Sequence, residues 1–310
     1  MQLGPELGED ACAIRVGAGA LIVAADPITL TGESVGSHAV WVNANDVAVT
    51  GARPRWFLAT VLMPPGTGSA EVRALFARMR EALRKVGATL VGGHTEVTPA
   101  VRQAVVSGQM LGLCEDGRFV RTGDVQPGDA VLQVGPVPIE GGSVLAAAAP
   151  RLGVALPGEL RSRAERALES PGISVVEAAL AARELGARAL HDPTEGGLAM
   201  GLHELAAASR VALELEPGRV LWFEPGTAVC ERVAADPWGT LASGALLAAF
   251  PPDRAEEARS SLQARGFLAS ILGHARRGAG ISLAGRPLPR FARDEVARVL
   301  SNEARGTQVL

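Results

Sequence analysis

Acidic and amide side chains recur over the first hundred residues in settings that suit a hard cation. GEDACAI (8–14) sets Glu9 and Asp10 between Gly8 and an apolar strand pattern, and ALIVAAD (20–26) ends on Asp26. VNANDVAVTGARP (42–54) brings Asn43, Asn45 and Asp46 within one helical turn otherwise made of Val and Ala, where buried polar groups need partners. VGGHTE (91–96) adds the flexible Gly92 and Gly93, the Thr95 hydroxyl and Glu96. Oxygen ligands of this kind bind Mg²⁺. Mg²⁺ in turn neutralises triphosphate charge that would repel a nucleophile, which points to Mg²⁺-ATP. Singly each motif has a plain alternative: a polar turn before a strand for the first, a glycine-rich strand turn for the last.

Two further segments suit an anion. In HDPTEGGL (191–198), Asp192 and Thr194 precede paired glycines that open a helical pattern, and GPVPIEGGS (135–143) repeats the strand, glycine and helix order. Amides at such a helix start can hold phosphate.

Other chemistries are disfavoured. Lys85 is the only lysine, so a phosphate-loop or Schiff-base lysine is not expected, and tyrosine is absent. Cys12, Cys114 and Cys230 are far apart with no CxxC pair, and read as small buried hydrophobes. His38, His94, His191, His203 and His274 show neither HxH nor HExxH spacing, and His203 reads as an ordinary helix residue. Gly32–Gly36 matches GxSxG, but no strand immediately precedes it as a nucleophile elbow requires. A net charge of −3 with scattered arginines gives no basic stripe for nucleic acid. No apolar run spans a bilayer and the start carries no leader pattern, so a cytoplasmic protein is expected.

The elements that must position these residues alternate. Strands are expected at 20–26 and 57–63, a helix from about Gly36 to Gly51, and a helix that Ser69 caps and that runs to Val86. That second helix has the apolar set Val72, Leu75, Phe76, Met79, Leu83 and Val86. GGHTE reads as a turn, 103–114 as a strand, and Asp116-Gly117 as a hairpin leading to RFVRT. TGDVQPGD (122–129) reads as a domain boundary, with domains at 1–127 and 128–300 and a frayed tail at 301–310. Beyond it come the strand AVLQVG, helices near 141–149, 159–169, 174–185, 197–208 and 253–265, and the apolar run 244–250. The expected class is α/β (α+β) in two domains.

In order along the chain, GEDACAI, DPIT, VNANDVAVTGARP, VGGHTEVT, HDPTEGGL and LASGALLA resemble the signatures of the aminoimidazole ribonucleotide synthetase-like superfamily, nearest its hydrogenase-maturation, HypE-like branch. The resemblance runs from Gly8 to about Glu295. It implies an N-terminal domain whose strands pair across a homodimer, a C-terminal α/β domain, and Mg²⁺-ATP bound between them. It further implies Asp10, Asp26, Asp46 and Glu96 as metal ligands, with Asp46 and Glu96 catalytic. Gly8, Asp10, Asn45, Gly92, Gly93, Thr95, Asp192 and Thr194 would hold the nucleotide. The implied chemistry is phosphoryl transfer that activates an oxygen of a small substrate, with a maturation protein as a candidate partner. HypE proteins use a C-terminal cysteine. This sequence ends GTQVL and begins close to GEDA, so it is not expected to modify its own tail. A nucleotide-binding scaffold without turnover and a thiamine-monophosphate kinase-like enzyme are the competing readings.

Overall fold

A computed structural model describes residues 1–6, 8–29 and 32–306 of the chain, which divides into two compact units, Met1–Phe119 and Val120–Leu310.

The first unit is a five-stranded sheet backed by two helices. Its strands are β1 (Cys12–Val16), β2 (Gly19–Ile28), β3 (Pro54–Met63), β4 (Thr89–Val97) and β5 (Val105–Cys114), and its helices are α1 (Val35–Val49) and α2 (Ser69–Val86). The sheet order is β1-β2-β5-β3-β4. All neighbours are antiparallel except β3 and β4, whose parallel pairing needs the α2 crossover between them. Alternation sorts the two faces. Ala20, Ile22, Ala24, Phe57, Ala59, Val61, Val106 and Met110 are buried on the helix-covered face. Leu21, Val23, Leu58, Leu111 and Leu113 stay half-buried on the other.

Helix α1 is apolar nearly all round and buried except at Trp41, the signature of a core helix. Helix α2 is amphipathic, as its apolar spacing predicts. Its cap differs from expectation: Ser69 is the first helical residue, Gly68 precedes it in extended conformation, and Glu71 accepts from the Gly68 amide at 3.3 Å.

Two other local expectations fail. GGHTE is not a turn, because β4 runs straight through it with one register irregularity opposite Phe57/Leu58. The Asp116-Gly117 turn does form, with the Gly117 amide on the Cys114 carbonyl, yet 118–121 does not return as a strand.

The second unit has a seven-stranded sheet. In chain order it contains β6 (Ala130–Val134), α3 (Glu140–Ala148), α4 (Gly158–Arg166), α5 (Val176–Glu184), β7 (Ala189–His191), α6 (Gly197–Ser209) and β8 (Val211–Leu215). There follow α7 (Glu224–Arg232), β9 (Leu246–Phe250), α8 (Ala255–Ala264), β10 (Ala269–Arg277), β11 (Gly280–Leu283), β12 (Arg286–Pro287) and α9 (Glu295–Gly306). The order is β12-β11-β8-β10-β6-β9-β7. Strands β6 and β9 are buried at every residue, because α6 covers one face while α5 and α8 pack on the other. The one polar residue of β6, Gln133, is fully buried and satisfied. It accepts from the Leu221 amide and donates to the Leu221 and Gly135 carbonyls.

Helices α3, α4, α7 and α9 form a second apolar cluster around Leu145, Val229, Val296 and Val299. This corrects the reading of SNEARG as frayed: residues 301–306 continue α9, which Val296 and Val299 anchor. The rest of that tail, 307–310, lies outside the described residues. Among the described residues no helix is long and apolar enough to cross a membrane.

Candidate functional site

Asp26 lies on β2, and Asn43 on α1 grips its main chain. The Asn43 Oδ1 accepts from the Asp26 amide at 2.9 Å, while its Nδ2 donates to the Asp26 carbonyl at 3.2 Å and to the Ala39 carbonyl at 2.8 Å. The expectation that Asn43 waits for a metal or phosphate is thereby corrected, since its partners are backbone groups. Asp26 itself is half-buried and, by strand parity, faces α1.

Asp46 lies one turn along α1 from Asn43 and is 5 % exposed, and Asn45 is fully buried. Asp46 belongs to the last turn of α1, where the negative end of the helix dipole favours a cation beside it. Gly8 and Asp10 lie in the half-buried loop before β1, with Gly8 at φ 77°.

Glu96 is placed differently. Register pairs Leu58, Thr60 and Leu62 of β3 with Gly92, His94 and Glu96, so these three share the face turned away from the helices. His94 Nε2 and Glu96 Oε2 stand 3.3 Å apart there, both exposed. Two strands separate β2 from β4. Asp26 and Glu96 are therefore on opposite faces and three strand spacings apart, about 14 Å. Among the described residues no three His, Cys, Asp or Glu side chains converge on a metal position. Mg²⁺ bound through ATP needs only one or two carboxylates, the rest coming from phosphates and water. Asn43 ties the Asp26 main chain to the helix that carries Asp46, so these two carboxylates would meet that smaller demand.

Gly92, Gly93 and Thr95 line a hollow of about 340 Å³ with Ala59, Phe76 and Leu90. Gly93 has a packing reason to be glycine: with φ 140°, an added Cβ would sit 2.0 Å from the Ala59 carbonyl oxygen. The close approach that fixes glycine here is to β3.

In the second unit His191 and Asp192 are buried at the end of β7, the former with Nε2 3.1 Å from Glu204 Oε2. Gly196 and Gly197 both take left-handed φ, 77° and 67°, which suits glycine in each position. Their amides already have acceptors. The Asp294 Oδ2 takes the Gly196 amide at 2.7 Å, and the Thr194 carbonyl takes the Gly197 amide at 3.1 Å and the Ala242 amide at 3.2 Å. An internal carboxylate thus stands on this loop. The glycines of GPVPIEGGS serve packing, since a Cβ at Gly142 would lie 2.6 Å from Gly226 Cα and one at Gly141 2.4 Å from Thr240 Cγ2.

Carboxyls given no role in the sequence reading, Glu140 and Asp294, lie near one another here. Glu140, the first residue of α3, is buried and bonded to Ser243. Burial foremost, then the nearby charges of Glu195 and Asp294, push its pKa up to about 7 against the Ser243 bond. Burial likewise raises Asp294, opposed by the amides of Gly196 and Val296. The glycines beside Glu140 drew attention away from it, and Asp294 reaches Gly196 across 98 residues, which no local pattern signals.

Among the described residues no hydrogen bond joins the Ser34 hydroxyl to a histidine. Ser34 leads into α1 and its carbonyl, not its hydroxyl, lies 3.3 Å from His38 Nδ1. Burial lowers the His38 pKa to about 4. Leu30 and Thr31 of the preceding stretch lie outside the described residues. Cys114 and Cys230 are buried and Cys12 half-buried, and burial pushes the Cys230 thiol up to about 11, so it is inert.

Residues 8–114 match the N-terminal domain model of the AIR synthase related proteins and residues 126–285 the C-terminal domain model. Carbamoyl dehydratase HypE of Azotobacter vinelandii is 30 % identical over 251 residues, 80 % of this chain and 71 % of that protein. A solved structure of hydrogenase maturation protein HypE in complex with ATP superposes with TM-score 0.77 at 24 % identity, covering 93 % of this chain and 89 % of that one. A HypE–HypF complex gives TM-score 0.77 at 22 % identity, covering 91 % and 93 %.

Proposed function

The chain belongs to the AIR synthase related family, among its HypE-like members, and on that premise we propose that it is a Mg²⁺-ATP-dependent enzyme that phosphorylates an oxygen of a small amide- or carbamoyl-type substrate. The carrying observation is the Asp26–Asn43 clamp with Asp46 one turn away. It fixes the Asp26 main chain against the helix that carries Asp46, and fixed donors accelerate phosphoryl transfer by positioning and charge neutralisation. Asp26, Asp46 and Asp10 would hold Mg²⁺, which when bound draws charge from the phosphates. The carbonyl oxygen attacks the γ-phosphorus, ADP leaves with the bond electrons, and the oxygen departs as phosphate when the amide gives up its protons. Loss of water in this sense agrees with the name of the Azotobacter relative.

The unit-one sheet supports a homodimer. Its uncovered face carries Leu21, Val23, Leu58, Leu111 and Leu113, and Val91 and Val97 on edge strand β4 are more than half exposed. A HypF-like maturation protein is the candidate heterologous partner, by analogy with the solved complex.

Titration calorimetry with a non-hydrolysable ATP analogue tests the reading. Binding should require Mg²⁺ and fall at least tenfold in Asp26→Asn and Asp46→Asn. Folded wild-type protein that takes up no nucleotide in the presence of Mg²⁺ overturns it.

A further inference from the structure

A cavity of about 280 Å³ in the second unit is lined by none of the residues assigned above to the nucleotide or metal. It is lined by His203 and Arg210 on and just beyond α6, by the turn Gly278–Ala279–Gly280 joining β10 to β11, and by Arg290. Among the described residues no carboxylate lines it. Elsewhere in this unit arginines find acids: Arg276 pairs with Glu214, Arg265 with Glu184, and Arg298 with Glu295. Arg210 and Arg290 make no ion pair among the described residues. Two cations on one hollow without an anion repel each other, a cost that a bound anion relieves.

His203 refines the choice of anion. It is 5 % exposed, and its Nε2 lies 3.2 Å from the Pro289 carbonyl. A carbonyl only accepts, so Nε2 carries the hydrogen. Burial and the Arg290 charge lower the pKa of the ring against the Pro289 and Leu288 carbonyls, which favours its neutral form. Nδ1 is then a bare acceptor, and it is buried without a hydrogen-bond partner among the described residues. An occupant that satisfies all three side chains offers anionic oxygens to the arginines and an O–H to Nδ1. Hydrogenphosphate carries such a group near neutral pH and a phosphate monoester does below its second pKa of about 6, whereas sulfate does not. The volume exceeds the roughly 30 Å³ of one water several times over, so a phosphate leaves room for part of an organic group. Gly278 and Gly280, at φ 126° and 90°, keep the turn open, with no atom within 4 Å of a Cβ built on Gly280.

The geometry points to a phosphate site in this cavity, where Arg210 and Arg290 hold the anionic oxygens of a free phosphate or phosphate monoester and His203 Nδ1 accepts its hydroxyl. The site is independent of the nucleotide reading, because it shares no residue with it.

Calorimetry on the full chain, without Mg²⁺ or nucleotide, should detect inorganic phosphate at least tenfold tighter than sulfate. Arg290→Ala and Arg210→Gly should each weaken phosphate about tenfold or more. Glycine suits the left-handed backbone of Arg210, φ 56°, so that variant should fold. His203→Leu should erase the preference over sulfate. Phenyl phosphate as a second probe, compared with inorganic phosphate at about pH 5.5 where both keep a hydroxyl, separates the sources, tighter binding than inorganic phosphate assigning a monoester and weaker binding a free phosphate. Mg²⁺-dependent nucleotide binding should be unchanged in the two arginine variants. Absence of phosphate binding, or binding that Arg290→Ala and Arg210→Gly leave intact, overturns the proposal.

Discussion

Asn43 holds Asp26 by both main-chain polar groups, closing a two-point bond between the middle of α1 and β2. Asn43→Leu keeps the volume but removes three hydrogen bonds from the interior. It should cost about 3 kcal/mol, read by urea unfolding, since buried backbone groups lose their partners. Under conditions where the variant remains folded, its affinity for the Mg²⁺-ATP analogue should fall several-fold as Asp26 loses its fixed position.

The adjacent glycines of β4 should respond oppositely to the same change. Gly93→Ala drives a methyl into the Ala59 carbonyl at a backbone angle that L-residues rarely adopt, while a methyl at Gly92 meets only Leu58 Cδ2 at 3.7 Å. The first should lower stability by about 3 kcal/mol or more and the second by about 1 kcal/mol or less. Similar melting temperatures for the two variants would contradict the packing account.

Glu140 imposes a pH dependence. Its carboxyl titrates near 4.5 when exposed and about 7 when folded. Below 4.5 both states are protonated. Between 4.5 and 7 the unfolded chain releases the proton and the folded chain keeps it, so this group's contribution falls by about 3 kcal/mol as pH rises, then levels off. Glu140→Gln should flatten that part of the curve and be more stable than wild type at pH 8, as thermal melts from pH 5 to 8 would show.

Leu111→Asp tests the proposed dimer. Leu111 is half-buried on the sheet face that neither helix covers, so a charge there should spare the fold and disperse the dimer. Light scattering should halve in mass for the variant, and an unchanged mass removes the role given to this face.

What could be read in the sequence was what neighbours in the chain decide. Helix α2 followed from Val72, Leu75, Met79 and Leu83, β9 from an uninterrupted apolar run, and β6 from a run broken only by Gln133. The family followed from the order of six motifs. Roles set at long range were hidden. Gly92-Gly93 carries the composition of a turn, yet it is strand because β3 presses close at Ala59. Asn43 looked like a ligand because its partner, Asp26, is 17 residues away. Asp294 caps a loop 98 residues earlier, and nothing near it announces that. The carboxylates expected to bind metal were grouped by motif order, whereas strand parity and sheet order divide Asp26 from Glu96.

That division bears on how activity should scale. One ion cannot draw on Asp26 and Glu96 of a single chain, since a sheet lies between them. If the reaction uses both, the competent unit contains two copies. Dilution below the dimer dissociation constant should then make rate climb with the square of protein concentration, and mixed dimers of Asp26→Asn with Glu96→Gln should recover part of the turnover that each lacks alone.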